Sequence, residues 1–140
     1  MLRPSRLSVA VFLLLPAGCG GTLYLAMDAT APRPPVEVFD CVKGQIVVLG
    51  YTQTSHDTEK FRITAQKYDW ETRLADTQFR RMVDRLMIEV KDSADKAVRL
   101  KIHAHSFAEL ATQKGPTEVE QSATVAVKAA AQSLMQACGS

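Results

Sequence analysis

Residues that carry recognisable chemistry are scarce in this 140-residue chain. There are three histidines and three cysteines, and none falls at the His-x₃-His or Cys-x₂-Cys spacing that gathers ligands round a metal ion. No serine sits in a glycine elbow. Ser106 follows His105, but neighbours on a strand point to opposite faces, so this pair is no nucleophile and base. The fifteen acids are scattered, with nothing to single out two of them for glycoside chemistry. Solenoid-type repeats are absent, and the one low-complexity stretch is proline-rich. These absences argue against an enzyme: we expect no catalytic residues, no metal and no cofactor.

Charge of one sign is missing as well. The chain has 17 Lys plus Arg against 15 Asp plus Glu. Two of those cations, Arg3 and Arg6, belong to an N-terminal leader, and removing them leaves fifteen of each sign from Cys19 onward. No basic field remains to attract nucleic acid.

The leader itself is distinctive. Arg3 and Arg6 precede an apolar run, Leu7 to Leu15, and then Leu15-Pro16-Ala17-Gly18-Cys19, with small residues just before the cysteine. This resembles the lipobox signal peptide of bacterial lipoproteins, with Pro16 where the pattern has leucine and Leu15 one place earlier. The resemblance implies that residues 1–18 are removed, that the Cys19 thiol carries a diacylglycerol, and that its amino group is acylated too. Such chains bury enough methylenes, at about 0.8 kcal/mol each, for stable membrane anchoring outside the cytoplasm. By the sorting rule the resemblance carries, Gly20 rather than an aspartate directs the protein to the outer membrane, facing the periplasm, if the cell has one. Two alternatives stand beside it. The uncharged 21-residue stretch Leu7 to Met27 could span a bilayer uncleaved, or a cut after Ala29 or Ala31 could release a soluble form.

With Cys19 assigned to lipid, Cys41 and Cys138 remain as an even pair in a compartment where disulfides persist. A bridge between them would close a loop of almost the whole domain, worth about 4–5 kcal/mol by chain entropy. Two buried free thiols are the alternative.

Residues 19–34 read as a lipid-anchored tether, because Pro32, Pro34 and Pro35 favour an extended spacer. Leu23, Tyr24, Leu25 and Met27 are apolar for such a role and would sit in the lipid interface or dock on the domain. A single domain then spans 35–140. Phe39, Val42, Ile46 and Leu49 recur at helical spacing, with Pro35 suited to the first turn and Gly50 to the stop, which predicts a helix over 35–49. A hairpin follows, turning at His56-Asp57-Thr58-Glu59, with Phe61, Ile63 and Ala65 facing inward. A second has Leu86, Ile88 and Val90 against Val98, Leu100, Ile102 and Ala104, turning at Asp92-Ser93-Ala94-Asp95. Residues 69–84 between them read as a short amphipathic helix or an ordered excursion. Thr117 and Glu120 have capping-box spacing, which predicts a last helix over 118–137, and Val119, Ala123, Val127, Ala130, Leu134 and Cys138 mark its apolar stripe. The expected fold is α+β: a two-layer sandwich, helix-strand-strand-strand-strand-helix, with both helices on one face of an antiparallel sheet.

His103 and His105 could share a metal from one strand face. They also share that face with Arg99 and Lys101, opposite the apolar Leu100, Ile102 and Ala104, which makes a solvated sheet face the stronger reading. With Arg62 these residues form the candidate partner-binding face. Tyr68 and Trp70, with Arg73, Arg80 and Arg81, could make a second contact patch, although Trp70 is better read as capping the core. Two functions follow. One is a non-enzymatic envelope lipoprotein that holds a protein or cell-wall partner; the alternative is a carrier of a small apolar ligand or lipid between helices and sheet.

Overall fold

The computed structural model describes residues 21–92 and 97–140. The lipobox-like segment with Cys19, and the turn residues Ser93, Ala94 and Asp95, lie outside them. The described residues form six strands and two helices, an α+β fold dominated by antiparallel sheet. In chain order these are β1 (Leu25–Ala31), α1 (Pro35–Val48), β2 (Thr52–Asp57), β3 (Arg62–Asp69), β4 (Phe79–Asp92), β5 (Val98–Thr112), β6 (Gly115–Gln121) and α2 (Val125–Cys138). The sheet runs β1-β5-β4-β3-β2, and β6 pairs with β5 beyond β1, on the stretch Ser106 to Thr112.

The order therefore departs from the one expected at both ends. The segment read as a tether over 19–34 supplies β1, which pairs with β5 from Leu25↔Ala104 to Ala31↔Val98. Leu25 and Met27 pack on the core, and Ala31 is buried. The Leu23 carbonyl accepts from the Ala123 amide at 2.8 Å, and Arg33 Nη2 donates to the Cys138 carbonyl at 3.1 Å, a cation at the C-terminal end of α2. Half-buried alternation and the free edge of β5 win over the local proline signal.

Helix α1 forms where expected. Val38, Phe39, Val42 and Ile46 are buried on one stripe. Gly50, at φ +79°, ends it: the Gly50 amide bonds to the Val47 carbonyl and the Tyr51 amide to that of Ile46, both at 3.0 Å. This is a Schellman stop, which needs the left-handed residue glycine supplies. The β2–β3 turn, residues 58–61, lies two residues later than expected, because the Asp57 carboxylate accepts the Glu59 and Lys60 amides, both at 3.0 Å.

Strands β4 and β5 are 14 and 15 residues long, so β4 begins inside the region read as a helix or excursion. Only residues 70–78 form a loop, opened by Asp69, which accepts from the Glu71 amide at 2.9 Å and the Thr72 hydroxyl at 2.6 Å. The last helix starts seven residues later than the Thr117 box predicts. Residues 115–121 form β6 instead, and Thr124 caps α2 by accepting the Val127 amide at 3.1 Å. The stripe of Ala123, Val127, Ala130, Leu134 and Cys138 is buried as expected, while Val119 is in β6.

Buried residues of both helices form one cluster with Ile63 and Ala65 of β3, Leu86, Ile88 and Val90 of β4, and Val98, Leu100, Ile102 and Ala104 of β5. The helices are joined by the Cys41–Cys138 disulfide, with a Cα–Cα distance of 5.7 Å across a sequence separation of 97.

Candidate partner-binding face

Period-two alternation puts the odd-numbered residues of β4 and β5 on the face away from that cluster. Cross-strand register then decides which of them meet. Arg62 lies opposite Glu89, Glu89 opposite Lys101, and Lys101 opposite Asp28. Among the described residues, the half of this face nearer the β4–β5 turn therefore collects Arg62, Lys91, Arg99 and Lys101 against three acids, Glu89, Asp28 and Asp57, the last opposite Arg62. Glu89 bridges Arg62 Nε at 3.3 Å and Lys91 Nζ at 3.2 Å. Asp28 takes a forked pair from Arg99, at 3.2 and 2.9 Å. Lys101 makes no ion pair among the described residues, which leaves the region with surplus positive charge.

Arg62, Lys101 and His103 line one open depression of about 360 Å³ with Lys91, Glu89 and the half-exposed Met87. Arg99 and His105 do not line it. The depression offers cationic donors around an apolar, adaptable floor, which suits a carboxylate or phosphate carried on a larger partner. It offers no nucleophile with a base beside it.

The other half of the face is closed on itself. Arg85 makes a fork to Glu118, both arms at 3.0 Å, and lies 4.7 Å over the Phe107 ring. Arg81 meets Glu109 at 3.1 Å and covers Tyr68 at 3.7 Å. His105 Nδ1 is 2.7 Å from Glu120 Oε1. Tyr24 stacks on both histidine rings, at 5.2 Å from His103 and 4.7 Å from His105. Each histidine thus has an aromatic neighbour, and among the described residues no group of three or more His, Cys, Asp or Glu side chains converges. Trp70 does not cap the core: it is 63% exposed, because β3 has ended and the chain has left the sheet. Tyr68 and Arg81 lie beside it, whereas Arg80 turns to Glu109 at 3.6 Å.

A second groove, of about 480 Å³, opens between α2 and the β3 end of the sheet. It is lined by Ala126, Ala129 and Ala130 but also by Lys67, Asp69, Glu71 and Asp84. Asp84 belongs to a buried polar group that the sequence reading missed. Ser106 Oγ donates to it at 2.6 Å, and Thr124 Oγ1 lies 2.9 Å from both carboxylate oxygens. Burial pushes the Asp84 carboxyl above its ordinary value; the two hydroxyls offset part of this, and nearby Asp69 adds to it. Tyr51, also on the groove, is pushed up by burial first and then by Asp84 and Asp69, so its hydroxyl stays protonated. The group ties the start of α2 to the centre of the sheet. Its signal was a polar residue at an inward position of each long strand.

No helix among the described residues is long and apolar enough to cross a membrane. No protein-family model and no curated protein sequence matches the chain.

Proposed function

We propose that the mature protein is a non-enzymatic, lipid-anchored envelope domain that holds an anionic partner against the uncovered face of its sheet. The carrying observation is the uneven charge of that face among the described residues: near the β4–β5 turn four cations face three acids and Lys101 has no ion pair, whereas the acids and guanidinium groups of the other half are paired. Exposed ion pairs contribute little to stability, so a local surplus on a chain of balanced charge is better explained by recognition. An acidic envelope protein or an anionic cell-wall polymer fits it, and electrostatic complementarity would set specificity and encounter rate.

The envelope reading draws support from the disulfide, which belongs in an oxidising compartment. Cleavage at the lipobox draws support from β1: residues from Leu25 onward are in the sheet and the Leu23 carbonyl is held by the Ala123 amide, so the apolar run left to span a bilayer shrinks to residues 7–22, short of the roughly 20 needed. The apolar-carrier alternative has less behind it, since the helix–sheet groove is edged by four charged side chains. The test is crosslinking in intact cells. Arg99→Glu with Lys101→Glu should reduce recovery of the partner at least tenfold in a protein that folds and anchors normally; unchanged recovery would overturn the assignment of this face.

A further inference from the structure

The incorporation of β1 into the sheet removes the tether. A spacer over 19–34 could hold the domain as much as roughly 50 Å from its lipid. In the structure the chain is already fixed at Leu23, whose carbonyl accepts the Ala123 amide at 2.8 Å. Only four peptide units separate Cys19 from Leu23, and fully extended they reach about 14 Å.

Three large apolar side chains are exposed on this part of the molecule. Leu23 is 45% exposed, and Val125, two residues past its partner Ala123, is 85% exposed. Val119 is 43% exposed on β6, the strand that meets β1 along the same edge of β5. Isolated surface valines need no explanation, but apolar side chains at the point where a lipid-bearing chain enters the fold have an occupant at hand. The polar layer of a bilayer is roughly 5–8 Å thick on each side, comparable with the reach of the four units.

We infer that the corner formed by Leu23, Val119 and Val125 rests in the headgroup layer of the membrane that holds Cys19. This rests on the lipid-anchor reading and adds an orientation to it. The domain lies on the bilayer by its β1–β6 edge, with β2, four strands across the sheet, on the far side. A partner must therefore come to the membrane surface to be held.

Depth-dependent quenching tests this with the full-length lipidated protein in phosphatidylethanolamine–phosphatidylglycerol vesicles containing brominated acyl chains. In a Trp70→Phe background, a Val125→Trp indole should be quenched at least threefold more than a Thr54→Trp indole on β2. Inserting a twelve-residue Gly-Ser spacer after Gly20 should abolish that difference while the protein still floats with the vesicles. Equal quenching at both positions in a floating, acylated protein would overturn the orientation and leave the anchor intact. A protein that does not float, with an unmodified N-terminus by mass spectrometry, would remove the anchor and the orientation with it.

Discussion

Along β4 and β5 the even-numbered side chains Leu86, Ile88, Leu100 and Ile102 point into the cluster shared with the helices, and the odd-numbered Arg85, Glu89, Arg99 and Lys101 point away. Two surfaces are thus built from alternate residues of the same strands. The inner one is closed by α1 and α2, which a disulfide joins, and its strands carry one buried carboxyl near their centre, Asp84, with hydroxyl partners. The outer one has rings and ion pairs but, among the described residues, no covering layer. Because burial supplies most of the favourable free energy, stability should be concentrated on the inner side and recognition on the outer. Substitutions on one side should leave the other property nearly unchanged.

The largest effect expected on the inner side comes from the disulfide. Cys41→Ser with Cys138→Ser should lower unfolding free energy by about 4–5 kcal/mol, the loop-entropy value for so long a closure, as read by urea denaturation. Partner recovery at a temperature where the variant remains folded should not change. If recovery falls while the fold persists, the two faces are coupled and the comparison fails.

A smaller effect, visible as a slope, is expected at Asp84. Its carboxyl is raised in the folded state, so folding favours the protonated form. That contribution is fully present below the unfolded value, near 3.8, and is lost as pH rises through the raised native value. Asp57 is held low chiefly by the Lys60 amide, and Asp69 by its Thr72 and Glu71 hydrogen bonds, which together outweigh a larger opposing burial contribution. Both act in the reverse sense, with stability present above 3.8 and lost as pH falls through their native values. Asp84→Asn should therefore gain stability relative to the native chain as pH rises from 4 to 7. A pH-independent difference between the two denaturation midpoints would refute the raised carboxyl.

The smallest effect belongs to the outer histidines. His103→Ala with His105→Ala removes the Tyr24 stack and the Glu120 contact, and should cost under about 1 kcal/mol, in the range of exposed polar contacts. Partner recovery should fall only modestly, because His103 lines the depression but Arg62 and Lys101 carry its charge. Complete loss of recovery in a folded protein would favour a metal or catalytic role for the pair.

How far the sequence foretold this arrangement depends on how local each signal was. Pro35 and Gly50 bracket α1 within one chain segment, and the alternation in 86–90 and 98–104 orients both long strands without any partner. The cysteine pair followed from counting. β1 was hidden because its strand character depends on an edge of β5 that lies 67 to 79 residues away, while Pro32 and Pro34 speak locally for a spacer. The Thr117 box lost to Thr124 because Asp84 and Ser106 hold the Thr124 hydroxyl and amide, contacts that exist only after the sheet has formed. The parity of Arg62, Arg99, Lys101, His103 and His105 was legible. Their division was not: Asp28 neutralises Arg99 from the segment read as a tether, and Glu120 engages His105 from a segment read as helix.

The position of the disulfide also determines how the molecule would bear a mechanical load. Everything from Cys41 to Cys138 lies inside one covalent ring, but β1 and the first turn of α1 lie outside it. Tension applied through the N-terminus meets the Leu23–Ala123 hydrogen bond first and then Leu25, opposite Ala104 near the middle of β5, and would open the ladder residue by residue toward Ala31. Once β1 has peeled away, further pulling reaches Cys41 and stops extending the chain, because the ring between the two cysteines cannot lengthen. The protein is thus divided into a seven-residue strand that yields to force and a closed remainder that carries the basic face and is shielded from it.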